Sequence, residues 1–205
     1  MAIKTCLFDM GNVLVYFSHQ KMCRNVASVC GVSEADVTAL LLESGLQWQL
    51  ERGEISEQEF HAGFEKSCGR SINFDALKHA AADIFRLNES IVSLIDELKR
   101  GGMRLVLLSN TSVTHLRFIQ SNFDILERFD ALTTSFEVGA LKPDKAIYED
   151  ALDKAQCSPE HCFYTDDIEA YVQQARCFGI HAEVYSRTTT TRAALKALGV
   201  NISDL

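Results

Sequence analysis

Cys6-Leu7-Phe8-Asp9-Met10-Gly11-Asn12-Val13-Leu14-Val15 is the stretch on which the fold turns. A short apolar run stops at a carboxylate. Gly11-Asn12 then bends the chain before a second apolar run. A carboxylate at the end of a buried strand is costly unless opposite charge stands against it. In an open α/β sheet, ligands bind in the crevice outside the carboxyl ends of the strands. Asp9 therefore has two readings: a catalytic nucleophile that also binds metal, or a strand-end aspartate capping a turn. The rest of the chain has to decide.

Working outward, Ile3 to Phe8 predicts a strand and Val13 to Phe17 a small hairpin arm. From Ser18 to Phe85 the pattern is helical: Ser18 to Cys30, a Ser33-capped helix stopped by Gly45, Leu46 to Arg52, a capping box at Ser56/Glu59 opening a helix through Cys68, and Asp75 to Phe85. The second half alternates. Helices are expected at Ser90–Arg100, Val113–Asn122, from Pro143 to Ala155, at Glu169–Phe178 and at Arg192–Leu198. Strands are expected at Met103–Leu108, Ala131–Thr134, His161–Thr165 and His181–Tyr185. Strand–helix alternation implies right-handed crossovers and a parallel sheet. The expected architecture is one α/β core, residues 1–15 and 86–205, carrying an inserted helical cap, residues 16–85.

The chain has 205 residues, 47% of them hydrophobic, 23% charged, with a net charge of −8. That acidic balance argues against nucleic acid and anionic membrane as general partners. It leaves room for an anionic substrate at a locally positive site. The seven cysteines are scattered, odd in number and without a CxxC pair. They read as reduced thiols in a cytoplasmic protein rather than a disulfide framework. Neither a signal-peptide layout nor an apolar run of membrane-spanning length is present in the sequence.

Four polar groups fall where strands end: Asp9, Ser109-Asn110, Lys142 and Asp166-Asp167. A parallel sheet brings them to one edge. Each alone has an ordinary explanation: a turn cap, a helix N-cap, a solvated loop lysine, an acidic helix start. Together, in this order, FDMGNVLV (8–15), VLLSNT (106–111), GALKPDKAIY (139–148) and FYTDDIEAYVQQARCFGI (163–180) resemble the four motifs of the haloacid dehalogenase (HAD) superfamily of hydrolases, in the subgroup with a helical cap after the first motif. The first motif and the cap stretch Glu51–Ser56 are most similar to bacterial sugar-phosphate phosphatases of the glucose-1-phosphate type. The Asp166-Asp167-Ile168 segment also resembles the phosphatase domain of soluble epoxide hydrolases.

The resemblance implies a Rossmann-like parallel sheet with helices on both faces and a Mg²⁺-dependent phosphatase acting on small phosphorylated metabolites. Asp9 would attack phosphorus and form an aspartyl-phosphate. Asp9, the Gly11 carbonyl and Asp167 would hold Mg²⁺, with Asp166 behind them, because Mg²⁺ takes hard oxygen ligands. Ser109, with the amides of Asn110 and Thr111, would bind phosphoryl oxygens. Lys142 would neutralise charge on the phosphoryl group and on Asp9, keeping crowded carboxylates ionised.

Two positions depart from the family pattern. Gly11 stands where relatives place an aspartate that protonates the leaving group, a role typically worth ~10²–10⁴-fold. Restoring it by Gly11→Asp is expected to raise turnover of poor leaving groups more than good ones, and His19 is a candidate stand-in. Tyr171 replaces an asparagine that braces the metal site. Tyr16, Phe17, Gln47, Trp48 and Arg52 are cap residues that could reach substrate. The remaining histidines are too spread for a metal cluster. Two other functions stay open at this point: a metal-independent 2-haloacid dehalogenase, and a catalytically weak relative that binds a phosphorylated ligand or a partner.

Overall fold

The computed structural model describes residues 2–203. The chain opens with β1 (Thr5–Phe8) and, after a turn, β2 (Val15–Tyr16). Helices follow: α1 (His19–Cys30), α2 (Glu34–Thr38), α3 (Leu46–Glu51), α4 (Glu57–Cys68) and α5 (Phe74–Ala82). The chain returns through β3 (Arg86–Leu87) to α6 (Glu89–Arg100), β4 (Arg104–Ser109) and α7 (Val113–Asn122). Next come β5 (Ala131–Thr134), the one-turn α8 (Ser135–Val138), α9 (Lys145–Ala155) and β6 (Cys162–Asp166). α10 (Glu169–Cys177), β7 (His181–Val184) and α11 (Thr188–Ala197) complete it.

The main sheet is five-stranded and parallel, in the order β5-β4-β1-β6-β7. Its strands alternate between two cores, as a period of two requires. Cys6, Phe8, Leu105, Leu107 and Phe163 face α6, with Ile91, Leu94, Ile95 and Leu98 packed against them. Leu7, Val106, Leu108 and Tyr164 face the other way, onto Ile147, Tyr148 and Ala151 of α9. Helices therefore cover both faces, which is why the strands read as continuous apolar runs.

The helices between β2 and β3, called the cap below, bury a third cluster that includes Met22, Val26, Leu41, Phe60, Phe64 and Leu77. Ser18 caps α1 by accepting from the Lys21 amide, and Gly31 ends it in the left-handed region (φ 65°). Capping boxes at Ser33/Asp36 and Ser56/Glu59 start α2 and α4. Among the described residues, no single helix is long and apolar enough to cross a membrane; α1 and the helical run Glu34–Glu43 would reach that length only together, and they meet at 115°.

Several expected elements are corrected. The arm at Val13–Phe17 is no local hairpin: β2 pairs antiparallel with β3, so Val15 faces Leu87 and Tyr16 faces Arg86. That pairing pulls the chain out of helix after Ala82, where a helix through Phe85 was predicted. After Thr38 the second cap helix widens to a π turn over Ala39–Glu43, leaving only Leu41 of the leucine trio fully buried. Pro143 does not start α9. Lys142–Pro143 is a cis peptide, and the helix begins at Lys145. The last helix starts at Thr188 rather than Arg192. Its threonine run is a weak helix former, but the Thr188 hydroxyl lies 2.7 Å from Ser90 Oγ and 3.1 Å from the Tyr185 hydroxyl, which fixes the first turn.

Candidate active site

The register explains why the polar groups meet. Phe8 is level with Leu107 of β4 and Thr165 of β6. One residue on, Asp9 is level with Leu108 and Asp166, and its amide donates to the Thr165 carbonyl at 3.0 Å. Lys142 reaches this layer from the loop after α8. Its ammonium donates to Asp9 Oδ1 (2.7 Å), Asp166 Oδ2 (2.7 Å) and the Leu108 carbonyl (3.0 Å), with the Tyr164 hydroxyl at 3.2 Å. The Tyr164 hydroxyl also donates to Asp166. The Lys142 side chain is 1% exposed, so this is a buried ion cluster rather than a surface bridge.

Asn110 holds Lys142 in place. The Lys142 amide donates to Asn110 Oδ1 at 2.7 Å, and Asn110 Nδ2 donates to the Lys142 carbonyl at 3.2 Å. Tyr171 lies with its ring 5.1 Å from the ammonium. The position expected to brace a metal thus supports the lysine. Asn12, left-handed at φ 54°, donates to Asp167 Oδ2 at 2.9 Å.

The carboxylates of Asp9, Asp166 and Asp167 each offer an oxygen within 4.8 Å of the others. Burial pushes the Asp9 carboxyl up; Lys142 opposes this and Asp166 adds to it. Asp167 is likewise raised by burial, with the Asn12 bond pulling the other way. For Lys142 burial lowers the pKa, but Asp9 and Asp166 outweigh it and hold it above its ordinary value. Three carboxylates facing one ammonium leave excess negative charge. A set of hard oxygens with that excess suits a divalent cation of the Mg²⁺ kind. Within it, Asp166 is the most engaged: Oδ2 accepts from Lys142 and Tyr164, and Oδ1 from the Ile168 amide at 2.8 Å.

A cleft of about 160 Å³ opens over this layer between core and cap. Asp9, Gly11, Asn110, Thr111, Lys142 and Asp167 line its floor; Phe17, Trp48 and Glu51 come from the cap side. Of the cap residues named from sequence, Phe17 and Trp48 reach the cleft. Tyr16 packs on Arg86, Gln47 is buried against Glu51, and Arg52 pairs with Glu54 at 3.7 Å. Ser109 does not line the cleft. It is 1% exposed at the end of β4, its hydroxyl 3.4 Å from the Asn110 carbonyl. His19 and His115 do line it.

Gly11 has its own steric constraint. A Cβ there would come 2.8 Å from Phe17 Cε1. The space an acidic side chain would enter is filled by that ring. Gly11→Asp is accordingly expected to cost about 1–3 kcal/mol of stability through overpacking and to bring no gain in turnover of poor leaving groups. Thermal melts and a comparison of alkyl with aryl esters check this. A gain confined to alkyl esters would show that the ring yields.

The model of haloacid dehalogenase-like hydrolases matches residues 3–179, and the chain belongs to that family. D-ribitol-5-phosphate phosphatase from Bacteroides thetaiotaomicron is 25% identical over 174 residues, covering 80% of this chain and 83% of that protein. A predicted HAD-like family hydrolase from Porphyromonas gingivalis superposes with a TM-score of 0.82 at 26% identity, over 98% of this chain and 100% of that one. A HAD family enzyme of Bacteroides thetaiotaomicron, solved with magnesium and inorganic phosphate, gives a TM-score of 0.80 at 22% identity, over 91% and 96% of the two chains.

Proposed function

We propose that this protein is a Mg²⁺-dependent phosphatase of small phosphorylated metabolites, sugar or polyol phosphates in particular, working in the cytoplasm. The observation that carries the reading is the buried layer in which Lys142 bridges Asp9 and Asp166 beside Asp167. In this reading residues 16–85 act as the cap, and residues 1–15 with 86–205 as the catalytic core.

Asp9 is the nucleophile. Its Oδ1 is engaged by Lys142, which orients the carboxylate and leaves the other oxygen to attack phosphorus. Lys142 also faces the charge that develops on the phosphoryl oxygens. The Asn110 amide, at the mouth of β4, would bind those oxygens, with Ser109 beneath it; the Thr111 amide, expected from the sequence to share that role, donates to Ser135 Oγ instead. Asp9, Asp167 and the Gly11 carbonyl would hold Mg²⁺, with Asp166 fixing Lys142 behind them. When bound, the ion offsets the repulsion between carboxylate and phosphate and polarises the phosphoryl group. A 2-haloacid dehalogenase is disfavoured because a carboxylate substrate would meet this acidic cluster without compensation.

The test is hydrolysis of a generic aryl phosphate. Activity is expected with Mg²⁺ and is expected to vanish in EDTA and return on adding Mg²⁺. Halide release from a 2-haloacid in full chelator would overturn the phosphatase reading.

A further inference from the structure

We infer that Glu51, on the cap helix α3, is the residue that carries the proton in this reaction, the part for which Gly11 has no group. The inference rests on the phosphatase reading. Glu51 is only 7% exposed, yet it lines the same cleft as Asp9, Lys142 and Asp167. Its Oε1 accepts from Gln47 Nε2 at 2.8 Å. Among the described residues, Oε2 takes no hydrogen bond from the protein. The residue is buried, but this oxygen is open to the cleft and is left for a group that enters there.

The core holds Glu51 in position. Ser135 Oγ lies 2.6 Å from the Glu51 carbonyl and accepts from the Thr111 amide at 2.9 Å. One hydroxyl thus ties the backbone of α3 to the loop after β4. At Gly53 a Cβ would come 2.4 Å from the Phe136 carbonyl oxygen, so the chain leaving α3 lies directly on the core. Such a mount gives a proton-transfer group a defined place.

In-line displacement sets where that group must stand. Asp9 attacks from the sheet edge, so the leaving oxygen departs on the far side of phosphorus, toward the cap. As the Asp9 oxygen–phosphorus bond forms and the phosphorus–ester oxygen bond breaks, Glu51 gives its proton to the leaving oxygen, releasing the alcohol and becoming a carboxylate. Water then enters from the same side. Glu51 takes its proton while the water oxygen bonds to phosphorus, the Asp9–phosphorus linkage breaks, and phosphate and both original carboxyl states are restored.

The other titratable groups at the cleft fit less well. Burial lowers the pKa of His19 although the residue is exposed at the rim, which disfavours its protonated form. Burial takes His115 down to about 4, opposed by its contact with the Ala81 carbonyl. Asp9, Asp167, Lys142 and Tyr171 are engaged in the floor of the site. Burial raises Glu51 to about 7, against the pull of the Gln47 bond, which lets it hold and release a proton near neutrality.

The experiment compares the wild type with Glu51→Gln on two esters with Mg²⁺: a small alkyl phosphate, which needs a proton on its leaving group, and 4-nitrophenyl phosphate, which does not. The variant is expected to lose ~10²–10⁴-fold on the alkyl ester. With the nitrophenyl ester it is expected to release about one nitrophenolate per enzyme and then stall, its mass raised by one phosphoryl group. Glu51→Asp keeps a carboxyl and is expected to recover part of the alkyl rate. Equal losses on both esters with no phosphoprotein, wild-type rates in Glu51→Gln, or a larger loss in His19→Gln would each overturn the assignment. A wild type that hydrolyses neither ester would instead overturn the phosphatase reading itself. Folding of the variant is checked by melting at pH 8. There the native state holds a buried ionised carboxylate that glutamine removes, so Glu51→Gln should melt no lower than wild type.

Discussion

Asp9→Asn is expected to lower phosphate-ester hydrolysis by at least ~10³-fold in kcat while leaving the fold intact. Asparagine has the same shape and keeps an oxygen for the Lys142 ammonium, so the 2.7 Å contact can persist. What it loses is nucleophilicity: an amide oxygen does not form a phosphoryl ester that water can turn over. Charge points the same way for stability. Burial disfavours the Asp9 carboxylate by more than Lys142 favours it, Asp166 adds to the cost, and the neutral amide removes it. The variant should therefore melt at or above the wild-type temperature and give no phosphoprotein on incubation with an aryl phosphate. A rate close to wild type would mean that Asp9 is not the nucleophile.

Lys142→Met should have the largest effect on stability. Its ammonium is the only cation bonded to Asp9 and Asp166 among the described residues. Removing one partner from a buried ionic cluster typically costs about 3–5 kcal/mol, a large share of what holds a domain folded. Activity should fall with it, because the phosphoryl charge then has no lysine to meet. The pH dependence follows from the proton count. Burial already holds the Asp9 carboxyl above its unfolded value, and without Lys142 it is pushed further up, so the native state binds a proton that the unfolded chain has already released. Stability then falls as pH rises through that window and recovers as pH falls. Melting the variant at pH 5 and pH 8 checks this. A deficit that does not shrink at pH 5 would mean that the loss comes from packing around the lysine stem.

Much of this was legible in the sequence for physical reasons that can be named. β1 and β4 are buried on both faces, so they read as unbroken apolar runs. Ser56 and Glu59 satisfy each other across a helix start, a pattern visible as spacing. Asp9, Lys142 and Asp167 could be placed on one edge because parallel strands all end on the same side. What escaped depends on contacts distant in sequence. β2 and β3 are two residues each and acquire meaning only by pairing with one another. The threonines at the start of α11 are poor helix formers until Ser90 and Tyr185 hold them. Glu51 looks like any surface glutamate beside Arg52. Only the docking of α3 on Ser135 buries it at the cleft. Asn110 was legible as a neighbour of the site but not as the clamp on the Lys142 peptide, since that bond crosses between two loops.

The small ribbon of β2 and β3 has a further consequence. Val15 and Leu87 stand opposite each other, and Asn88 fastens the base by donating to the Val13 carbonyl and the Tyr185 hydroxyl, each at 2.8 Å. The chain thus leaves the sheet and re-enters it at one point, across a gap that a two-residue hairpin turn can also close. Everything from Phe17 to Phe85 hangs from that junction like a cassette. A lineage can lengthen, exchange or shed it without rethreading a single strand of the main sheet. The selectivity of the enzyme can therefore evolve on a separate piece from the aspartate and lysine beneath it, while a proton carrier borne on α3 would bind the two histories together.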